Sequence, residues 1–448
     1  MRLIFYKRRA TFLCLSALAV LLAGCGLSSN GDTDSLPTAT VPAPTATALP
    51  VSQSTLAPEV DEPPLPDERT LVIWWPELLP VTDTLQSQLQ DFSVTEESGI
   101  EIDFRLKRVG DLGGIMSTLR TGITIAPDAM PDVTLMRRED LIIAAGQGLI
   151  QPLEGVTSVS SSVIGGLYDI ALTLGQYDDS LYGLTYILSA LHGAYLPTPE
   201  NDIGEATLGW SFEDVLERDM PFTFPAGRQL GVNETFLLQY LNAGGTPPDE
   251  SGAMTLNTDA LLTILTFYEE AAQSGIVDDT VFEFSSPSDY QSSLSSGVLT
   301  SAVVRSSQFL SLREEGEDWQ LAPIPTVNGD AVSLVDGWMW VIVANTPEQQ
   351  DTAVRFLNWM MDVERQRQYA ESAQRLPSQI LALRNMDRNL LETALMDELI
   401  TNSIAVMPQT SGNALTRAMQ NALISVVRGD RSAQQATQDV IDIVGVSE

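Results

Sequence analysis

The chain is poor in the side chains on which most reaction centres depend. Of its 448 residues two are cysteine, Cys14 and Cys25, and both fall in the first 25 positions. The remainder therefore has no disulfide, no thiolate metal site and no thiol nucleophile. A single histidine, His192, excludes the usual zinc-hydrolase arrangements, and a lone histidine reads first as a packed residue. Neither a G-x-G-x-x-G turn nor a P-loop occurs, so nucleotide phosphate has no cradle. No calcium-binding D-x-[DN]-x-[DN]-G loop is present, and no G-x-S-x-G elbow accompanies the serines. No metal and no cofactor is expected. With 59 acidic residues, two carboxylates fall within reach of each other by chance, so their abundance does not point to a glycosidase pair. An enzyme is not expected; a surface-anchored carbohydrate-acting hydrolase with an acidic pair is the rival reading.

Basic residues are also scarce, 24 against the 59 acids, for a net charge of -35. Four of them, Arg2, Lys7, Arg8 and Arg9, lie at the start, and without these the charge deepens to -39. A surface this acidic repels nucleic acid and anionic lipid. Those four basic residues precede an apolar run from Ala10 to Ala23, too short to span a bilayer comfortably, so residues 1–25 read as a secretory leader. The leader ends Leu22, Ala23, Gly24, Cys25, which looks like a bacterial lipobox, with Cys25 as the lipidated residue. Two or three acyl chains on one residue anchor a protein stably, and the membrane is a partner through that anchor alone. Residues 26–66 are rich in Pro, Thr, Ala and Ser, and are read as a disordered linker. At about 3 Å per residue when extended, such a stalk reaches about 100 Å.

The remaining length exceeds one ordinary core and indicates two lobes. TLVIWW at 70–75 is an apolar strand stopped by Pro76, followed by a helix over 82–97. IEIDFRL at 100–106 alternates as a second strand, and 113–121 form the next helix. PDVTLMRREDLIIAAGQGLIQP at 131–152 is the segment on which the reading turns. Val133 to Met136 is a strand, Arg137, Arg138, Glu139 and Asp140 a charged turn, and Leu141, Ile142, Ala145 and Leu149 a helical face. Successive βα units imply parallel pairing, and ligands of open α/β sheets gather at the carboxyl ends of strands. That places Arg137 and Arg138, in a chain so short of cations, where a ligand is met. Further on, Ser211 is an N-cap with Asp214 at N3, and Ala353, Phe356, Leu357 and Met360 give 347–362 an apolar helical face.

The frame PDV…GLIQPL resembles the extracellular solute-binding proteins of family 1 that feed ABC importers, of which maltodextrin-binding proteins are the familiar kind. YGLTYILSALHGAYLP at 182–197, ETFLLQYLNAGG at 234–245, WQLAPIP at 319–325 and DGWMWVIVA at 336–344 continue the likeness, which covers about 69–448. Its usual asparagine near the end of the 182–197 motif is replaced by Leu196 and Pro197, and 410–416 lack the stacking tryptophan of the best-known sugar binders. The resemblance implies an α/β, two-lobed, type II periplasmic-binding-protein-like fold with discontinuous lobes and a hinged interlobe cleft. Lobe 1 is expected at 67–190 with 325–360, and lobe 2 at 191–324 with 361–448. It implies an extracytoplasmic monomer, tethered to the cell membrane, that binds a small solute, a sugar as first choice, and meets an ABC permease; a sensor of the same fold is the alternative. At family cleft positions stand Trp75, Glu77, Arg137, Arg138, Tyr186, Ser189, Arg305, Phe309 and Trp338. Aromatic faces suit sugar rings, and arginine forks suit carboxylates, phosphates or vicinal hydroxyls. Strand alternation lets one of Trp74 and Trp75, and one of Trp338 and Trp340, face the cleft; Trp75 and Trp338 are favoured.

Overall fold

Strand β1 (Thr70–Pro76) carries apolar side chains on both faces, and Leu71, Ile73, Trp74 and Trp75 are all buried. That is the pattern of a strand inside a parallel sheet covered on both sides. In this computed structural model the residues described are 70–445, apart from 96–98, 111–112, 127–128, 155–158, 198–209, 219–221, 228–230, 248, 250–252, 317, 388–391 and 407–412. The leader, Cys25 and the 26–66 linker lie outside the described residues, as does the first part of the 410–416 turn. Strand β1 pairs in parallel with β2 (Glu101–Lys107) and β3 (Val133–Met136). The helices Asp83–Thr95 and Ile115–Ile125 connect them, each within a few residues of its expected bounds. The alternating strand takes the outer position, next to β1 alone. The continuously apolar ones lie inside.

A small hairpin, β4 (Gln176–Tyr177) with β5 (Ser180–Leu181), leads into the 13-residue strand β6 (Gly183–Tyr195). Its first part pairs antiparallel with β9 (Leu334–Ile342), from Gly183↔Val341 to Ala190↔Val335, and β9 pairs in turn with β3. Its last five residues, Leu191 to Tyr195, leave that sheet and pair with β7 (Ser301–Arg305), while β8 (Gln320–Ala322) lies on the other side. One continuous strand thus serves two sheets. Gly337 allows β9 to pack here against a bulge in β6, since a Cβ at 337 would stand 2.7 Å from the Ile187 carbonyl oxygen.

The second sheet is flanked by helices, including Glu234–Asn242, Thr258–Gln273, Ala414–Val427 and Ala433–Val444. Their buried residues gather with Val303 and Ile324 in a core of their own. The Ser211 cap forms as expected: its Oγ accepts from the Asp214 N–H at 3.1 Å, and the Asp214 carboxylate accepts from the Ser211 N–H at 2.9 Å. Residues 361–387, expected in the second lobe, pack instead on the first. The Gln366 side chain donates to the Tyr186 carbonyl at 2.8 Å, Tyr369 stacks on Tyr186 at 5.2 Å, and β10 (Leu376–Pro377) pairs with β6. Tyr369 finds its ring partners in the first sheet, which holds this segment there. Strand β11 (Ile404–Ala405), parallel to β9, precedes the last two helices. The whole is the two-lobed type II periplasmic-binding-protein fold expected from the sequence.

Candidate functional site

The carboxyl end of β3 delivers Arg137, the N-cap of helix Arg138–Gly146, toward β9. Its Nε donates to Asp336 Oδ2 at 2.7 Å and its Nη2 contacts the same oxygen. Asp336 is buried, and its Oδ1 accepts the Gly337 N–H at 2.8 Å. Burial alone would lower the Arg137 pKa, but the Asp336 carboxylate, with Glu234 and Glu139 behind it, holds it above the ordinary arginine value.

A second pair comes from the other lobe. Arg305, at the end of β7, meets Glu234 at 2.5 Å, and Glu234 opens helix Glu234–Asn242, where the macrodipole favours a carboxylate. Arg305 Nη1 also donates to the carbonyls of Ser189 (3.3 Å) and Leu334 (3.4 Å). Ser189 is the cross-strand partner of Asp336, so the two pairs stand as neighbours where β6 and β9 pass between the lobes.

The second pair lines one cavity, and residues flanking Arg137 and Asp336 in the chain, though not these two themselves, line another. The one next to Arg305 and Glu234 is about 500 Å³, lined also by Asn233, Thr235, Ser286 and Gln308, with no aromatic ring in its wall. The other, about 230 Å³, is walled by Trp338, Met136, Ser117, Arg120, Glu139 and Asp140 at the strand ends. Trp338 is partly exposed there, whereas Trp340 is buried. An arginine beside a carboxylate sets donors next to an acceptor, and a hydroxyl group can use both.

The remaining expected residues divide. Glu77 is exposed in the turn after β1, and Ser189 is half-buried on the crossing strand. Trp75, expected in the cleft, is fully buried: its Nε1 donates to the Leu79 carbonyl at 3.1 Å, and its ring packs among Phe104, Trp340 and Tyr369. Trp74 is buried as well, because β1 is covered on both faces and neither alternate ring reaches a cleft edge. Tyr186 is enclosed by Trp340 and Tyr369, and Phe309 is buried edge-on to His192 at 5.3 Å. Arg138 turns inward, its Nη1 donating to the carbonyls of Thr173 (2.6 Å), Leu174 (3.0 Å) and Gln176 (3.1 Å). It caps the end of helix Asp169–Gly175, so its charge complements the helix dipole and does not face a ligand. His192 is a packed residue, held near pKa 4 by burial, and its Nδ1 lies 2.8 Å from the Gly193 carbonyl. Sequence reasoning missed Asp336 and Glu234. The signal for Asp336 is a carboxylate inside an otherwise apolar strand, and for Glu234 an acid directly after the N-cap Asn233.

Residues 94–380 match the family model described as bacterial extracellular solute-binding protein. No curated protein matches the chain by sequence. Among solved structures, the maltose-binding periplasmic protein MalE of Listeria monocytogenes, in complex with maltose, is similar at TM-score 0.64 and 15% identity over 84% of this chain and 97% of that one. The extracellular solute-binding protein family 1 of Alicyclobacillus acidocaldarius gives 0.63 and 16%, over 83% and 96%. The GacH receptor of Streptomyces glaucescens, solved unliganded and with acarbose, gives 0.59 and 16%, over 84% and 97%. The family match spans more than half of the chain and agrees with the two-lobed architecture: this chain belongs to the bacterial extracellular solute-binding proteins.

Proposed function

We propose that the protein is a lipid-anchored, extracytoplasmic binder that captures a small solute, a sugar as first choice, by hinge closure and delivers it to an ABC importer. The observation that carries this reading is the meeting of two arginine–carboxylate pairs, one from each lobe, at the strands that cross between them. A ligand touching both pairs and Trp338 binds best when the lobes are closed, which shifts the population toward that state. In this reading lobe 1 comprises 70–190 with 335–405, and lobe 2 comprises 191–334 with 413–445. Arg137, Ser189, Arg305 and Trp338 contact the ligand, Glu77 stands at the rim, and Asp336 and Glu234 join them as hydrogen-bond acceptors. Names of similar proteins, with maltose and acarbose as their ligands, support a sugar. Cys25 supplies the anchor.

A thermal-shift panel of mono- and oligosaccharides, polyols, peptides and phosphodiesters tests the reading, because a ligand bound to the native state raises its melting temperature. A saturable rise with at least one sugar, with no product formed, is expected. Turnover of a labelled glycan would replace the binder with a hydrolase, and a rise confined to peptides would replace the sugar.

A further inference from the structure

We propose that β2 is a self-association surface, on which two copies of the chain pair antiparallel about a two-fold axis at Phe104 and join their sheets. Strand β2 ends the sheet, hydrogen-bonded to β1 on one side and to no other strand among the described residues. An edge strand presents unpaired N–H and C=O groups, and charged side chains normally keep other strands away. The charges here do not repel a second copy. The sequence EIDFRLK is a charge palindrome: turned antiparallel on itself about Phe104, it sets Glu101 opposite Lys107, Asp103 opposite Arg105 and Ile102 opposite Leu106. Every charged position meets its opposite and every apolar position meets another, which is the cross-strand pairing that stabilises a sheet.

The surroundings carry the same symmetry of purpose. Leu106 is 59% exposed, an unusual place for a leucine on a strand with charged neighbours. Between β2 and helix Asp83–Thr95 lies an apolar groove of about 580 Å³, walled by Val81, Leu89, Val94, Ile102 and Phe104, and Val94 is 78% exposed. In the antiparallel register Leu106 of the second copy falls opposite Ile102, at the mouth of this groove. Within one copy Arg105 pairs with Asp103 along the strand, and Lys107 lies 4.1 Å over the Trp74 ring. In the dimer the inner two pairs become a four-charge cluster. One strand and one groove make an interface at the small end of the specific range, so the dimer is weak and concentration-dependent. It replaces the single copy expected from the sequence.

Sedimentation equilibrium of the purified protein over a concentration series reads this directly. The wild-type mass is expected to rise from one copy toward two. Asp103→Arg and Arg105→Glu each place like charges opposite one another twice per dimer, and each is expected to weaken association at least tenfold. Combining D103R with R105E restores the palindrome and is expected to restore the dimer. Circular dichroism checks that each variant is folded. A one-copy mass at every concentration, single reversals that associate like the wild type, or a double variant that stays monomeric would each overturn the proposal.

Discussion

Under the crossing strands lies a knot of rings, Trp75, Tyr186, Trp340, Tyr369 and Phe356, all fully buried; beside it runs a rim made of Arg137, Asp336, Glu234, Arg305 and Trp338. The two regions are drawn from the same short stretches of chain. Arg137 and Arg138 are adjacent, Trp338 and Trp340 are two apart, yet one of each serves the rim and the other the interior. Residue type does not separate them. What separates them is whether the strand has one covered face or two, and whether a backbone end nearby needs a cation more than the cleft does.

Variants that strike one region should leave the other unaffected. The largest effect is expected of Trp75→Ala, which removes a ring from the knot and should cost about 3–5 kcal/mol in denaturant unfolding. An intact stability would show the ring to be free for a ligand after all. Next comes Asp132, buried beside β3, whose Oδ2 accepts the Val72 N–H at 2.8 Å. Burial raises its pKa to about 6 from 3.8. The folded state therefore holds this proton more tightly than the unfolded state, and the contribution of Asp132 to stability is fully present below 3.8 and is lost as pH rises through about 6. The loss is up to about 3 kcal/mol. Asp132→Asn, which keeps the acceptor, should flatten this part of the stability profile; an unchanged profile would place the proton elsewhere.

Arg138→Met should cost about 1–3 kcal/mol by leaving three carbonyls without their donor. Arg137→Met combined with Asp336→Asn, which removes both charges of the neighbouring pair and leaves no buried carboxylate unpaired, should change stability by less than about 1 kcal/mol, since half of the Arg137 side chain meets solvent. It should nonetheless reduce the melting-temperature rise given by a bound sugar. Equal effects of the two arginine variants on stability would erase the contrast between interior and rim.

The fold was largely readable in the sequence, because β1, β2, β3 and the helices between them follow apolar period and length closely. Strand β3 falls at 133–136 as read, and the Ser211 cap is formed by the residues that signal it. The lobe boundary was not readable. Nothing local at 361–387 says which lobe it joins; Tyr369 decides that by a contact nearly two hundred residues away, with Tyr186. The positions of Arg137 and Arg305 at strand ends, and of Trp338 partly exposed on the return strand, were legible. Trp75, Tyr186 and Phe309 misled because an aromatic residue on a strand near a cleft looks the same whether it faces the cleft or the core. Their burial is set by partners distant in the chain: Trp340 and Tyr369 cover Trp75 and Tyr186, and His192 packs on Phe309.

Closure is the claim on which the rest stands, and the absence of cysteine after residue 25 makes it measurable with two site-specific labels. Ile125→Cys on the first lobe and Val298→Cys on the second occupy highly exposed positions, so spin labels there should not disturb the fold. With a sugar that raises the melting temperature, the distance between labels measured by pulsed electron paramagnetic resonance should shorten. An unchanged distance with that sugar bound would contradict closure.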